Sequence, residues 1–205
     1  MKNNIFNLDA TEYKLFRQLS SPQKIQDYFD ALAINFEIKE ETCASPRTVL
    51  KRKSAHCIEA AILAASILKF HNQQAFLLDL KANFQDYDHV VCLFKQAGLW
   101  GAISKSNHPA LRYRDPVYKS VRELAMSYFH EYINKKGIKT LRSFSLPYSL
   151  AKYGRSWVTT NDNVWEIANE LDGATHFPIL PKSFKPRRVG KFEMDVSNIE
   201  EWPNK

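Results

Sequence analysis

Short amphipathic patterns open the chain. Apolar residues recur at helical spacing after Asp9 and again after Ser21-Pro22, and the pair Ser45-Pro46 repeats the second signal. Aspartate and serine accept hydrogen bonds from the free N–H groups of a first helical turn, and proline fits that turn because it has no N–H to leave unpaired. The pattern therefore predicts helices that begin at these three positions.

Residues 54–69 differ from this pattern because nearly every position is apolar. A helix of this composition is expected to be buried on most sides. The pattern leaves its start open. If Ser54 is the N-cap, Cys57 lies in the first turn. If one helix runs through 46–70, where no glycine and no further proline interrupts it, Cys57 lies inert in the middle.

Three apolar runs after this helix predict β-strands. They are residues 75–80, 87–94 and 99–104. The second run is apolar on both faces, so it is expected at the centre of a sheet. The connection KQAG between the second and third runs is short and ends in glycine, which predicts an antiparallel hairpin.

Two further amphipathic patterns predict helices at 117–133 and 161–173. The second is expected to be capped by Asn161 or Asp162 and closed by Gly173. Helices, strands and helices in this order predict an α+β fold.

The tail, about 176–205, contains four prolines and many basic residues. We expect it to be extended on the surface or partly disordered. Glycine is scarce, with six in the whole chain, which argues against flexible linkers. Residues 1–205 are therefore expected to form one domain.

The three cysteines are widely spaced and make neither a disulfide framework nor a zinc pattern, so no metal is expected. No apolar run approaches the roughly 18 residues of a membrane-spanning helix, and no secretory signal is visible at the N-terminus. These features predict a cytoplasmic protein with free thiols and no membrane association.

The net charge of +7 comes mainly from residues 101–205, where 17 basic residues face 11 acidic ones. Such a bias can attract an acidic partner. The basic residues do not form a compact run interleaved with aromatic residues, however. We therefore expect a solvated basic face and no binding of nucleic acid.

Cys57 and His89 are the candidate catalytic pair. A helix N-terminus favours a thiolate over a thiol, so Cys57 in a first turn would be a nucleophile near neutral pH. His89 begins an apolar strand after a polar loop, where its ring can be held rigidly and still be reached by substrate. A two-residue hairpin loop at 96–97 would place Ser104 opposite His89. A three-residue loop would place Lys105 there instead, and an ammonium group cannot accept a hydrogen bond.

Residues from about 54 to 105 resemble the transglutaminase-like core, the papain-like fold of transglutaminases and related bacterial peptidases and amidases. The resemblance rests on CIEAAILAASIL, AFLLDL, DHVVCLF and LWGAIS in this order. It implies a buried, cysteine-bearing helix packed on an antiparallel sheet, with a core of about 46–135 and extra helices at both ends. The segments SKSNHPALRYRDPVY and SVRELAMSYFHEY indicate an uncharacterised bacterial branch.

The family's catalytic order is Cys, His, Asp. Carried over to this chain, Cys57 matches the nucleophile and His89 the base. The usual aspartate falls four residues after Trp100, at Ser104. A serine hydroxyl can accept a hydrogen bond from the Nδ1–H of the ring, but it has no charge with which to stabilise an imidazolium.

The resemblance implies a cysteine hydrolase or acyltransferase that acts on an amide bond through a Cys57 thioester, with His89 as base and no cofactor. Its substrate would be a peptide or protein amide, an acidic one included. The departure at Ser104 motivates the alternative, a catalytically impaired fold that acts as a binding module for an acidic partner.

Overall fold

The computed structural model describes residues 4–197 and 200–201, and within them it contains seven α-helices and eight β-strands. The α-helices are α1 Ala10–Gln18, α2 Pro22–Ala31, α3 Pro46–Arg52, α4 Cys57–Phe70, α5 Val121–Tyr128, α6 Trp165–Asp172 and α7 Lys191–Ser197. The strands are β1 Ala33–Ile34, β2 Ser54–Ala55, β3 Ala75–Ala82, β4 His89–Gln96, β5 Leu99–Ile103, β6 Arg114–Tyr118, β7 Leu141–Ser145 and β8 His176–Pro178. The predicted α+β class is confirmed.

Strands β3 to β8 form one antiparallel sheet in the order β6-β5-β4-β3-β7-β8, and β1 pairs separately with β2. In β4 the first six residues are buried, as expected for a continuous apolar run inside a sheet. Helices pack on both faces of this sheet. The site described below lies where α4 meets β4.

Two hydrophobic cores share the sheet. On one face, Leu77 and Val90 pack in a core with α4 and the helices around it. α4 contacts both β3 and β4. On the opposite face, Leu78 and Val91 pack with α5. Consecutive strand residues thus alternate between the two cores because side chains on a strand point to opposite faces. The prediction of one domain over 1–205 stays a prediction.

The first three helices begin where the sequence indicated. Asp9, Ser21 and Ser45 are their N-caps, and each side chain accepts a hydrogen bond from a backbone N–H of the first turn. α1 has a complete capping box, since Glu12 bonds back to the N–H of Asp9. These starts depend on residues three apart in the chain, which is why they could be predicted locally.

The predicted helix at 117–133 is too long. Its first residues belong to β6, which pairs with β5 through Tyr118 and Trp100, and α5 begins only after the N-cap Ser120. Pairing at the sheet edge thus competes successfully with the helical pattern. The edge position also tolerates Pro116, which has no N–H to give to a ladder.

The predicted N-terminal cap of the helix at 161–173 is wrong as well, because α6 begins at Trp165 after Val164, whereas Gly173 closes the helix as expected. Asn163 forms a bridge with Ala44, and the N–H of Val164 donates to the carbonyl of Cys43 at 2.7 Å. These contacts with the loop before α3 keep Asn163 and Val164 out of the helix.

The tail is more ordered than an extended surface chain. Residues 176–178 form β8 at the edge of the sheet beside β7, and 191–197 form α7. Residues 198–199 and 202–205 of the predicted tail lie outside the described residues. Across the described part of the chain, no helix has the length and apolar character needed to cross a membrane.

Candidate active site

The junction between α3 and α4 puts Cys57 at a helix N-terminus. α3 ends at Arg52, its C-cap Lys53 has a left-handed backbone (φ 57°), and β2 then runs parallel to β1. This short strand interrupts the helical path, so α4 begins anew at Cys57 with His56 as its N-cap. One continuous helix over 46–70 is therefore wrong, and so is Ser54 as the cap.

Cys57 is half-buried at the first position of α4, where backbone N–H groups have no acceptor within the helix. Burial raises the pKa of its thiol, but hydrogen bonds with His56 and His89, and the charges of those rings, outweigh it and lower the pKa from the ordinary 9.0 to about 5. The positive end of the helix acts in the same direction. The sulfur is therefore a thiolate at neutral pH.

The ring of His89, at the start of β4, is buried and tightly held. Its Nε2 lies 3.2 Å from Ser104 Oγ and 3.2 Å from the carbonyl oxygen of Leu111. A carbonyl oxygen only accepts hydrogen bonds, so the proton of the neutral ring belongs on Nε2. Nδ1 then carries the lone pair that can receive a proton from Cys57. The nitrogen bonded to Ser104 is thus Nε2, and the expected Nδ1–H is wrong.

The β4–β5 hairpin has a different register from the one expected. Gln96 pairs with Leu99, so the two-residue loop is 97–98 and lies one residue later along the chain. Both loop residues have positive φ, 50° and 81°, as a type I′ turn requires, and the second is glycine. Continued along the strands, this register makes Ser104 a diagonal neighbour of His89. Diagonal neighbours remain within reach of a long ring.

Ser104 is fully buried and its hydroxyl is fixed by main-chain carbonyls. Its Oγ lies 2.9 Å from the oxygen of Leu111 and 3.0 Å from that of Arg112. The hydroxyl proton can point to these carbonyls while an oxygen lone pair accepts from His89. The side chain of Gln26 on α2 bonds both the N–H and the C=O of Ser104, at 3.1 and 3.0 Å. The position is built for a neutral group that both donates and accepts.

Lys105 is engaged elsewhere. Its buried ammonium group donates to the carbonyl oxygen of Leu32 at 2.7 Å. Asp88, whose carboxylate lies closest in sequence to His89, accepts from the N–H of Ala82 at 2.8 Å. The second nitrogen of His89 is therefore oriented by a hydroxyl and a carbonyl.

His56 also contacts the thiol, which the sequence analysis missed. Successive residues inside a helix do not face each other, but His56 is an N-cap with extended backbone (φ −99°, ψ −175°), so its ring can turn toward Cys57. Burial lowers the pKa of the ring, yet the hydrogen bond and charge of Cys57, with the charge of Glu59, raise it to about 9. The spacing His56…Glu59 resembles a capping box and was the available signal.

Glu59 ties the start of α4 to the loop before α3. Its fully buried carboxylate accepts from the hydroxyl of Thr42 at 2.7 Å, the N–H of Ala44 at 2.9 Å and the guanidinium of Arg52 at 2.5 Å. Burial raises the pKa of Glu59, but the charge of His56 and these hydrogen bonds bring it below its ordinary value. A buried negative charge therefore stands beside the His56 ring.

The thiol opens into a cleft of about 170 Å³. Its lining consists of the start of α4, the facing strands and α6: His56, Cys57, Ile58, Asp79, Asp88, Val90, Ala168, Leu171 and Asp172. The wall thus combines apolar side chains with carboxylates. A cleft of this volume can hold one or two side chains of a larger substrate.

The three aspartates of this wall have carboxylate oxygens within 4.8 Å of one another. Asp79 pairs with Nε2 of His176 at 3.0 Å, and Asp172 pairs with Nζ of Lys81 at 2.8 Å. Asp88 accepts the backbone hydrogen bond described above. Since each carboxylate already has a partner, we assign no metal ion to this group.

The other two thiols lie in the protein core. Cys92 is fully buried in β4, as expected from its apolar neighbours, and burial raises its pKa far above the ordinary value. Cys43 is also fully buried, although its sequence neighbours are polar, and burial raises its pKa to about 12. Of the cysteines, Cys57 alone combines access to solvent with a lowered pKa.

One family model matches the part of the chain that contains this site. A family model described as Vasohibin matches residues 44–147, just over half of the chain. The matched segment contains Cys57, His89 and Ser104. No curated protein matches the chain.

Proposed function

Since this chain belongs to the vasohibin family, which has a transglutaminase-like, cysteine-protease-like fold, we propose that it is a cysteine hydrolase or acyltransferase acting on an amide bond. Cys57 is the nucleophile, His89 the general acid and base, and Ser104 the residue that orients His89. The substrate is a peptide or protein.

One observation carries this proposal. The partly exposed thiol at the N-terminus of α4 interacts with the ring of His89, whose other nitrogen is held by Ser104 and Leu111. Nucleophile, base and orienting group thus form a connected chain, which is the arrangement that covalent catalysis requires. The lowered pKa of Cys57 supplies the reactive form at neutral pH.

In the acylation half, Nδ1 of His89 takes the thiol proton and the Cys57 sulfur attacks the amide carbonyl carbon. A new C–S bond forms while the carbonyl π electrons move to oxygen. The N–H of Cys57, free at the helix start, is positioned to donate to that oxygen. The C–N bond then breaks, His89 gives its proton to the departing nitrogen, and the first product leaves as an amine.

In the second half, neutral His89 removes a proton from the incoming water or amine. The oxygen or nitrogen adds to the thioester, the C–S bond breaks, and Cys57 leaves as a thiolate. The proton on His89 restores the starting ion pair. Water yields a carboxylic acid, whereas an amine yields a new amide. Hydrolysis and acyl transfer therefore use the same catalytic side chains.

The charges around the site supply two arguments about the substrate. The net charge of +7 supports attraction of an acidic polypeptide over a distance. The three carboxylates in the cleft wall favour an uncharged or basic group next to the scissile bond. A suitable peptide panel therefore varies the overall charge and the residues flanking the amide independently.

The test measures amide cleavage across such a panel with the wild type, Cys57→Ala and Cys43→Ala. The proposal expects activity in the wild type and in Cys43→Ala, which makes the same chemical change at a buried thiol, and none in Cys57→Ala. Activity that survives in Cys57→Ala would remove Cys57 as the nucleophile. An unreactive Cys57 in a folded wild type would instead favour the binding-module alternative.

Hydrolysis and transfer are separated by adding hydroxylamine to the reaction. Because it competes with water for the thioester, a hydroxamate product identifies a transferable acyl group on Cys57. Mass spectrometry of the quenched enzyme should show the same acyl group on Cys57. The absence of both signals in an active enzyme would contradict a thioester route.

A further inference from the structure

Two imidazole rings contact one sulfur, and their surroundings differ. His89 is bonded on its far side to a hydroxyl and a carbonyl, both neutral. On its far side, His56 Nε2 lies 2.8 Å from the carbonyl oxygen of Thr42, 3.4 Å from a carboxylate oxygen of Glu37 and 3.6 Å from one of Glu59. One ring therefore faces neutral groups and the other faces negative charge.

Resting on the proposed function, we propose that His56 is a second catalytic residue: a fixed imidazolium that holds Cys57 as a thiolate while His89 alone carries the proton that moves. The Cys57 proton passes to His89 and then to the leaving nitrogen. His56 keeps both of its ring protons throughout the cycle.

Hydrogen-bond chemistry leads to this assignment. The carbonyl oxygen of Thr42 only accepts and ionised carboxylates only accept, so Nε2 of His56 bears a proton. Nδ1 is the remaining nitrogen for the bond to Cys57, and a thiolate also only accepts. A ring that donates from both nitrogens is an imidazolium.

The charged groups around His56 favour this state. Glu59 comes from α4 itself and Glu37 from the loop after β1, while Arg52 at the end of α3 neutralises part of the charge of Glu59. Across the cleft stand the carboxylates of Asp79, Asp88 and Asp172, with Lys81 and His176 paired to two of them. The raised pKa of His56, about 9, agrees with the sum of these charges.

This arrangement explains how the site works with Ser104 where the family resemblance implies aspartate. A carboxylate behind His89 would stabilise its imidazolium, and a neutral hydroxyl does so less well. His56 compensates from the other side of the Cys57–His89 pair, because its positive charge lies against the sulfur and stabilises the thiolate. Each negative group, Glu59 and the thiolate, then has a cationic neighbour.

The primary test is the pH dependence of Cys57 alkylation by iodoacetamide. In the wild type the rate should rise with a midpoint near 5. In His56→Gln the midpoint should move upward by about one to three units, the usual effect of removing an adjacent opposite charge. His130→Gln, at an exposed histidine away from the site, is the control and should leave the midpoint unchanged.

A low midpoint that does not move in His56→Gln overturns this inference and leaves the proposed function standing, whereas an ordinary midpoint in the wild type overturns the proposed function itself. A second measurement does not depend on that variant folding. The His56 ring, followed by NMR, should remain protonated at pH 8 in the wild type and lose its proton at a lower pH in Cys57→Ala. Titration near the ordinary value of about 6.5 in the wild type would also overturn the inference.

Discussion

Nε2 of His89 lies 3.2 Å from Oγ of Ser104, although the two residues are diagonal and not opposed in the β4–β5 ladder. The contact depends on the Ser104 hydroxyl standing between the ring and the carbonyl oxygens of Leu111 and Arg112. A group at this position has to accept from the ring and donate to a carbonyl. Serine does both, and an ionised carboxylate does only the first.

The first prediction is that Ser104→Asp impairs the enzyme more than Ser104→Ala, even though aspartate is the residue that the family resemblance implies. Ser104→Ala keeps the Leu111 carbonyl as acceptor for His89 and should lose about tenfold in kcat/KM, the value of one hydrogen bond. Ser104→Asp would bury a carboxylate against two carbonyl oxygens and should destabilise the fold by about 2 kcal/mol or more.

The measurements are kcat/KM on an amide substrate and urea unfolding for both variants. Full or increased activity in Ser104→Asp would contradict the account of the site, since it would mean that the carbonyls rotate away and tolerate a charge. Ser106→Ala removes a nearby hydroxyl that accepts from the N–H of His108 and serves as the matched control.

The second prediction concerns thiol selectivity. At pH 7 the folded protein should take up one carbamidomethyl group from iodoacetamide, on Cys57, because the thiols of Cys43 and Cys92 are buried and have raised pKa values. Unfolding in urea should make all three cysteines react.

Intact-mass analysis counts the adducts, and peptide mapping locates them. The folded Cys57→Ala protein should remain unmodified, while Cys43→Ala should still gain one group. Modification of Cys43 in the folded protein at a rate similar to Cys57 would show that its burial is not maintained in solution.

Local signals explain which parts of the fold could be predicted from the sequence. The caps Asp9, Ser21 and Ser45 act on N–H groups three residues away, and the buried run of β4 reflects its own composition. The start of α4 depends instead on pairing of β2 with β1, which lies about twenty residues earlier in the chain. No local sequence pattern indicates this pairing, so the sequence left two possible starts for α4.

The candidate site divides in the same way. The sequence and its resemblance named Cys57, His89 and Ser104, and the structure brings their side chains into one network, while their catalytic roles stay predictions. His56 was missed because its orientation follows from the exact start of α4. The predicted hairpin loop, 96–97, lies one residue too early in the chain. Glycine belongs inside the loop, at its second turn position, where φ is 81°.

The third prediction is that Gly101→Ala destabilises the sheet beneath the site. A Cβ at this position would lie 2.8 Å from the carbonyl oxygen of Arg114 and closer still to the ring of Phe94. That ring stacks on Tyr113, with centroids 6.1 Å apart, so it has little room to move. Overpacking of this kind costs about 1–3 kcal/mol in the free energy of unfolding.

Urea unfolding of Gly101→Ala measures that cost, and Gly173→Ala is its control. A Cβ at Gly173 would lie 3.5 Å from the carbonyl oxygen of Asn169, which is an ordinary van der Waals contact. The φ of −77° also suits alanine, so this variant should be as stable as the wild type. Equal stability of the two variants would indicate that the Phe94 ring shifts freely.

The fourth prediction follows from the buried carboxyl group of Asp79 in the cleft wall. Burial and the charge of Asp88 raise its pKa from 3.8 to about 6, against the opposing effects of His176 and Lys81. Between about pH 4 and pH 6 the folded state therefore binds more protons at this site than the unfolded state does. By linkage, this group makes the protein less stable as the pH rises through that window, and the full cost is present above it.

Asp79→Asn keeps a polar group for His176 but cannot ionise, so it should gain stability relative to the wild type between pH 4 and pH 7. The expected relative gain is at most about 3 kcal/mol, because the pKa rises from 3.8 to about 6 and one pKa unit corresponds to about 1.4 kcal/mol. Urea unfolding of both proteins at the two pH values measures it, with Asp27→Asn at an exposed position as the control. If Asp79→Asn and the wild type show the same pH dependence, the Asp79 carboxyl is solvated in solution, and the cleft wall carries a full negative charge already at acidic pH.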